Sequence, residues 1–129
     1  MTGPVSWCAK KKPTIALSTT EAEYVALSHA VQEAIWSRHS LKDLGYLQVE
    51  ATPIYEDNQT CIKIAKNDMV QARTKHINIR YRFSRQAIKY GEVKLIYCPT
   101  ELMLADALTK ALCEVKFAKL TKSILIQDT

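Results

Sequence analysis

Three separate segments of this 129-residue chain carry carboxylates that a folded protein could gather around metal ions, although such sites usually need a fourth acid. Glu21 and Glu23 lie in STTEAEYVAL, Asp57 in IYEDNQ and Asp106 in LADALTK. Mg²⁺ prefers carboxylate oxygens, and two ions about 3.5–4 Å apart can activate water and stabilise the leaving oxygen of a phosphodiester. Because no local spacing could surround two ions, acids drawn from separate elements suit this chemistry. The pattern therefore indicates a metal-dependent nuclease site.

Each of these acids also has a structural interpretation. Hydroxyl residues stand three positions before both Glu21 and Glu23, so either glutamate could close a capping box at a helix start. Only one box can form, which leaves the other glutamate available. Taken singly, Asp57 is better explained as a helix N-cap and Asp106 as a solvated helix residue.

The bulk composition is that of a globular protein with one domain. The chain is 47% apolar and 24% charged, and no apolar run approaches the ~18 residues that span a bilayer. Residues 1–12 lack the hydrophobic segment of a signal peptide. The four cysteines and three histidines are scattered without zinc-type spacing, which favours reduced structural thiols. These features predict a soluble intracellular protein.

The positive charge is concentrated in the middle of the chain. Ile62–Lys94 holds nine basic residues against two acidic ones, a net charge of +7 within an overall +5. Such a segment is typical of proteins that bind the phosphate backbone of nucleic acids, although a solvated helix face is the alternative interpretation. The residues that we expect to contact phosphates are Lys63, Lys66, Arg73, Lys75, Arg80, Arg82 and Arg85.

The first half of the chain predicts a strand followed by a long helix. Residues alternate over Val5–Lys11, and Pro13 ends that strand. A helix then begins at Ser18 or Thr20 and ends near Gly45, which supplies a left-handed cap. Its apolar residues recur at helical spacing and predict a buried stripe. The members of that stripe are Ala26, Leu27, Ala30, Val31, Ala34, Ile35 and Leu41.

The second half alternates between short strands and helices. A helix capped by Thr100 is predicted, with a buried stripe of Leu104, Ala107, Leu108, Ala111 and Leu112. Strands separated by helices imply parallel pairing, with ligands at the carboxyl ends of the strands, where Asp57 lies. The other predicted elements are strands at Thr52–Glu56 and Val93–Cys98 and helices at Gln59–Lys66, His76–Lys89 and Glu114–Ile126.

Four segments together resemble a known family. They read GPVSWCAKKKPTIALSTTEAEYVAL, PIYEDNQTCIKIAKN, RTKHINIRYRF and GEVKLIYCPTELMLADALTK, and they cover most of Gly3–Lys110 in the family's order. The chain resembles the ribonuclease H domain at the end of the polyprotein of copia-type LTR retrotransposons. The resemblance implies a ribonuclease H-like α/β fold, with residues 1–129 forming one domain.

The resemblance also implies an activity and a site. Family members cleave the RNA strand of RNA–DNA hybrids with two Mg²⁺ ions, or Mn²⁺, during reverse transcription. Carried over by motif, Glu23, Asp57 and Asp106 would hold the metals, while Asn58 and Gln59 would approach the hybrid. The expected partners are the hybrid and an upstream reverse transcriptase. The expected location is cytoplasmic, in a virus-like particle, with access to the nucleus.

The family pattern includes two strands ahead of the GPVSW-like segment, and the first carries an essential Asp. This sequence begins beside that segment, so we expect a truncated fold that lacks the first two strands of its mixed sheet. Loss of that Asp predicts impaired catalysis. One alternative is a catalytically dead relic that at most binds nucleic acid through its basic middle. Another is a helical interaction module that uses the Ala26–Leu41 stripe.

Overall fold

The computed structural model describes residues 19–67 and 78–125 and shows a mixed α/β chain. The described residues form two compact units, the first ending at Tyr97 and the second beginning at Cys98. The predicted strand Val5–Lys11 lies outside the described residues, as do residues 68–77. The first unit contains α1 (Thr19–Asp43), β1 (Thr52–Glu56), α2 (Gln59–Lys66), α3 (Asn78–Lys89) and β2 (Val93–Tyr97).

Glycines end the two longest helices, as predicted for α1. Gly45 has φ +90° and Gly91, after α3, has φ +71°, a conformation that residues with a Cβ rarely adopt. The Gly45 N–H donates to the Lys42 carbonyl at 2.9 Å, and the next N–H reaches back to the Leu41 carbonyl at 2.7 Å. These two bonds form a Schellman motif, which satisfies carbonyls that the helix leaves open.

The buried stripe of α1 differs from the predicted one. Tyr24, Leu27, Ser28 and Val31 are buried, and Ala34 and Ile35 pack against them. Ala26, Ala30 and Leu41 are exposed, so their inclusion in the predicted stripe was wrong. The stripe is rotated because the aromatic ring of Tyr24 fills more core volume than the small alanines can. Spacing alone does not distinguish the two faces when alanine lies on both.

A two-stranded parallel sheet confirms the predicted pairing. β1 pairs with β2 in the register Thr52↔Val93 through Glu56↔Tyr97. The Thr52 N–H points towards β2 and donates to the Glu92 carbonyl at 3.0 Å. Because successive backbone groups point to opposite sides of a strand, Pro53 faces the other edge of β1, where its missing N–H breaks no bond to β2.

Helices α1, α2 and α3 pack together around the sheet and enclose the core of the first unit. The rings of Tyr24 on α1 and Tyr81 on α3 stack with centroids 4.1 Å apart. The residues buried in this core are Tyr24, Leu27, Val31, Cys61, Ala65, Ala87, Val93 and Leu95. The core therefore fixes the start of α1, which carries Glu21 and Glu23, against the end of β1, which Asp57 follows.

One arginine positions the connection between α1 and β1. The Arg38 guanidinium donates to the Gln48 carbonyl at 2.8 Å, to the Glu50 carbonyl at 2.7 Å and to Thr52 Oγ1 at 3.0 Å. A planar guanidinium can reach several acceptors at once, so a single side chain holds this exposed loop and sets where β1 begins.

The second unit consists of short elements. They are a 3₁₀ turn (Thr100–Leu102), α4 (Asp106–Thr109) and α5 (Glu114–Ile124). The predicted continuous helix after Thr100 was wrong, and its stripe was wrong in part, because Leu104 is 42% exposed and Leu108 is 62% exposed. The Met103 backbone is extended and ends the turn before α4 begins. Among the described helices of both units, none is long and apolar enough to cross a membrane.

Candidate metal centre and nucleic-acid interface

Three carboxylates meet where β1 ends. One oxygen each from Glu23, Glu56 and Asp57 lies within 4.8 Å of the others. Oxygens bound to one Mg²⁺ at about 2.1 Å lie up to about 4.2 Å apart, so the three carboxylates fit a single divalent cation after a small closure. Glu23 comes from the second turn of α1, while the other two come from the carboxyl end of a parallel strand. The structure thus brings Glu23 and Asp57, two of the three predicted acids, together.

Glu56 was missed by the sequence analysis, which named it only as the last residue of a strand. Its side chain is 6% exposed. The signal that could have found it is the strand period of two, which places Glu56 on the same face as Ile54, while Tyr55 is 58% exposed on the other face. An acid on the inward face of a strand end is expensive to bury, so it marks a position where charge has a use.

A helix cap holds the end of this loop. Asn58, not Asp57, is the N-cap of α2, and its side-chain Oδ1 accepts from the Cys61 N–H at 3.1 Å. The interpretation of Asp57 as the cap is therefore wrong. Because Asn58 performs the capping, the Asp57 carboxylate takes its place in the acidic cluster, and Asn58 and Gln59 follow directly at the start of α2.

The electrostatics of the cluster favour an added positive charge. The pKa of Glu56 is raised to about 7, mainly by burial and in smaller part by the neighbouring Glu23 and Asp57 carboxylates, while the Asn58 N–H, which donates to Glu56 Oε1 at 3.0 Å, acts in the opposite direction. The pKa of the Cys61 thiol is raised to about 12, again mainly by burial and in smaller part by the same three acids. A cation here would relieve the repulsion among the carboxylates.

We expect Glu56→Gln to stabilise the chain in the absence of divalent cations, and more so at higher pH. The pKa of Glu56 is about 7 in the folded chain and about 4.5 when exposed. Between these values the unfolded state releases a proton that the folded state retains, so the stability of the native protein falls as pH rises through this window. The variant has no carboxylate at this position and avoids that loss. The free energy of unfolding of Glu56→Gln relative to the parent should therefore rise by roughly 2–3 kcal/mol from pH 4.5 to pH 8.

Urea unfolding at both pH values, in EDTA, measures this difference. Glu50→Gln provides the control, because Glu50 is an exposed residue in the same unit. An equal advantage of Glu56→Gln at pH 4.5 and pH 8 would contradict the assignment of a raised pKa.

Asp106, the third predicted acid, belongs to the second unit. It is 4% exposed, so its interpretation as a solvated helix residue is wrong. Its Oδ1 forms an ion pair with Lys110 Nζ at 2.9 Å, one turn along α4. Within the described ranges its Oδ2 is buried without a hydrogen-bond partner. A buried, half-satisfied carboxylate is costly, so Asp106 remains a candidate ligand.

The predicted phosphate-binding residues separate into two groups. Arg73 and Lys75 lie outside the described residues, and Lys63 and Arg80 do not line the groove that the other three share. Those three line an open groove of about 530 Å³ between the end of α2 and α3 from Arg82 onwards. Its polar lining consists of Lys66, Arg82, Arg85, Gln86, Lys89 and Tyr90.

The geometry defines an α/β protein with a three-carboxylate cluster at the carboxyl end of a parallel strand, before α2, and a basic groove at the other end of α2. Comparison with known proteins finds that the homologues of this chain are retrovirus-related Pol polyproteins of transposons. It is 41% identical over 115 residues, 89% of its length, to the Pol polyprotein from transposon TNT 1-94 of Nicotiana tabacum.

Two further relatives agree with this assignment. The Pol polyproteins from transposons RE1 and RE2 of Arabidopsis thaliana are each 33% identical to the chain over 121 residues, 94% of its length. The chain spans only 8–9% of the length of these three curated relatives. No protein-family model matches the chain. No solved structure matches it.

Proposed function

We propose that this chain is the ribonuclease H-like part of a transposon Pol polyprotein, and that it hydrolyses the RNA strand of RNA–DNA hybrids with divalent cations. The observation that carries the proposal is the convergence of Glu23 and Asp57, 34 positions apart in sequence, on one cluster within 4.8 Å. The similarity to Pol polyproteins over 89–94% of the chain supports it, since reverse transcription produces such hybrids.

The cluster supplies the ligands that this chemistry needs. Glu23, Glu56 and Asp57 would hold a divalent cation, and the family resemblance assigns a metal-ligand role to Asp106 as well. A bound cation would supply activation of the attacking water and stabilisation of the developing charge. The protein's own contribution is to hold three carboxylates in place, through the packing of α1 and the Asn58 cap, before substrate arrives.

Substrate binding would rest on the phosphate backbone. Proteins that recognise the shape of a duplex use phosphates and 2′-hydroxyls more than base edges. Asn58 and Gln59 follow the cluster directly, and the proposal assigns their amides to contacts with the strand that is cut. Arg80 and Lys63 lie in the same unit and would add charge along the same duplex. An upstream reverse transcriptase segment is the expected neighbour in the polyprotein.

A second candidate function is nucleic-acid binding without catalysis. The observation that favours it is the basic groove, whose described lining includes four cationic residues and no carboxylate. Binding through such a surface requires no metal.

Cleavage of a 5′-labelled RNA–DNA hybrid in Mg²⁺ tests the proposal, with the same reaction in EDTA and the matching RNA–RNA and DNA–DNA duplexes as controls. We expect cleavage of the RNA strand of the hybrid alone, and only with the cation. If the hybrid is bound and stays intact, the second function holds and the proposed one is rejected. Calorimetric titration with Mg²⁺ adds an independent readout, since the cluster should bind the ion without substrate.

A further inference from the structure

The basic groove combines charge with an aromatic side chain. Lys66 contributes from the end of α2, while Arg82, Arg85 and Lys89 contribute from α3. Tyr90 follows α3 on the rim and is 66% exposed. Ala65 and Ile88 form its apolar floor. The four cationic side chains could attract phosphates, and the ring of Tyr90 offers a flat surface on which one base could stack.

Helix electrostatics explain only part of this charge. Lys66 and Lys89 lie in the last turns of their helices, where a cation is favoured by the helix dipole. Arg82 and Arg85 lie earlier in α3, where that effect has faded. The exposed Arg82 adds a like charge to the recess that holds both lysines, and an anion bound between these cations would relieve their repulsion.

The shape of the groove selects between kinds of nucleic acid. A duplex keeps its bases stacked inside, so it cannot offer the face of a base to the exposed tyrosine on the rim of the groove. A single strand exposes both its phosphates and the faces of its bases, and proteins bind it by pairing a basic groove with aromatic side chains. A volume of about 530 Å³ is in the range of known ligand sites.

We propose that this groove binds single-stranded nucleic acid, with phosphates on Lys66, Arg82, Arg85 and Lys89 and one base stacked on Tyr90. The inference goes beyond the proposed function, because it needs neither the carboxylate cluster nor a cation. The groove lies at the far end of α2 from Asn58, and eight residues at about 1.5 Å each separate the two ends by roughly 12 Å. A strand leaving a duplex at the cluster would meet the groove a few nucleotides later.

Fluorescence anisotropy with a labelled 12-nucleotide single strand, in EDTA, tests the inference. The groove pair Arg82→Gln and Lys89→Gln should weaken binding about 10-fold or more, and should reduce the slope of log affinity against log salt by roughly 0.7 for each lost contact. The control pair Lys42→Gln and Lys94→Gln removes the same charge from exposed positions outside the groove, and should change affinity less than 3-fold.

The tyrosine separates stacking from charge. Tyr90→Ala should weaken binding about 5- to 100-fold with an unchanged salt slope, and Tyr90→Phe should retain the affinity of the parent. Circular dichroism and the urea midpoint establish that each variant is folded.

Any one of three results would overturn the proposal. If the control pair weakens binding as much as the groove pair, net charge alone is responsible. If Tyr90→Ala binds like the parent, or an RNA–DNA duplex binds the groove as tightly as the single strand, the surface is a duplex backbone contact. Because the titration is run without metal, its failure leaves the cleavage assay unaffected, and failure of cleavage leaves the titration unaffected.

Discussion

An Asp57→Asn variant is expected to lose hybrid cleavage by roughly 10²–10³-fold at saturating Mg²⁺. The substitution keeps the size of the side chain and removes one negative charge from a cluster whose three carboxylates lie within 4.8 Å. Loss of a cation ligand removes several kcal/mol of transition-state stabilisation, and each 1.36 kcal/mol is tenfold in rate. The measurement is the single-turnover rate on a labelled RNA–DNA hybrid.

Asp43→Asn is the matched control for this experiment. Asp43 is exposed at the last position of α1, about 30 Å along the helix from Glu23 at 1.5 Å per residue. It should cleave like the parent. Equal rates for Asp57→Asn and the parent would remove Asp57 from the metal centre, and Mg²⁺ titration of both variants would show whether cation binding is affected separately from catalysis.

Leu27→Ala is expected to lower the free energy of unfolding by about 3 kcal/mol. Leu27 is 2% exposed, in the core that joins α1 to α2, α3 and the sheet. Removing a buried leucine side chain costs its transfer free energy and leaves a cavity, and 2–5 kcal/mol is typical. Since domains are stable by roughly 5–15 kcal/mol, the urea midpoint should fall by about 1–2 M.

Leu47→Ala serves as the control, because that leucine is 68% exposed in the loop after α1. It should change the free energy of unfolding by less than about 0.5 kcal/mol. A comparable loss for both variants would show that the described core does not carry the stability of the chain.

Elements whose boundaries carry local signals were predicted well. A glycine with left-handed backbone dihedral angles commonly ends a helix. Gly45 follows the end of α1 and Gly91 follows the end of α3, both with positive φ. β1 is Thr52–Glu56, as alternation and the following polar residues indicated. Placing Asp57 at a strand end needed only the order of strands and helices, whereas the choice of Glu23 over Glu21 as its neighbour came from the family resemblance.

The errors arise where burial depends on tertiary packing. Ala26 and Ala30 fit a helical stripe as well as Leu27 does, but the core selects the face that bears Tyr24. Leu104 and Leu108 fit another stripe, yet an extended residue at Met103 divides that segment into a turn and a four-residue helix. Glu56 was overlooked because a carboxylate at a strand end is ordinarily read as solvated, and only the packed structure reveals its burial.

Pro53 determines which side of the sheet can accept another strand. A strand that pairs with the edge of β1 opposite β2 would lack one backbone hydrogen bond, because Pro53 has no N–H. The outer edge of β2 presents the backbone groups of Val93, Leu95 and Tyr97, each with its N–H. Lengthening of this sheet is therefore biased towards β2. A strand that does join beside β1 must derive its affinity from side-chain contacts more than from the main chain.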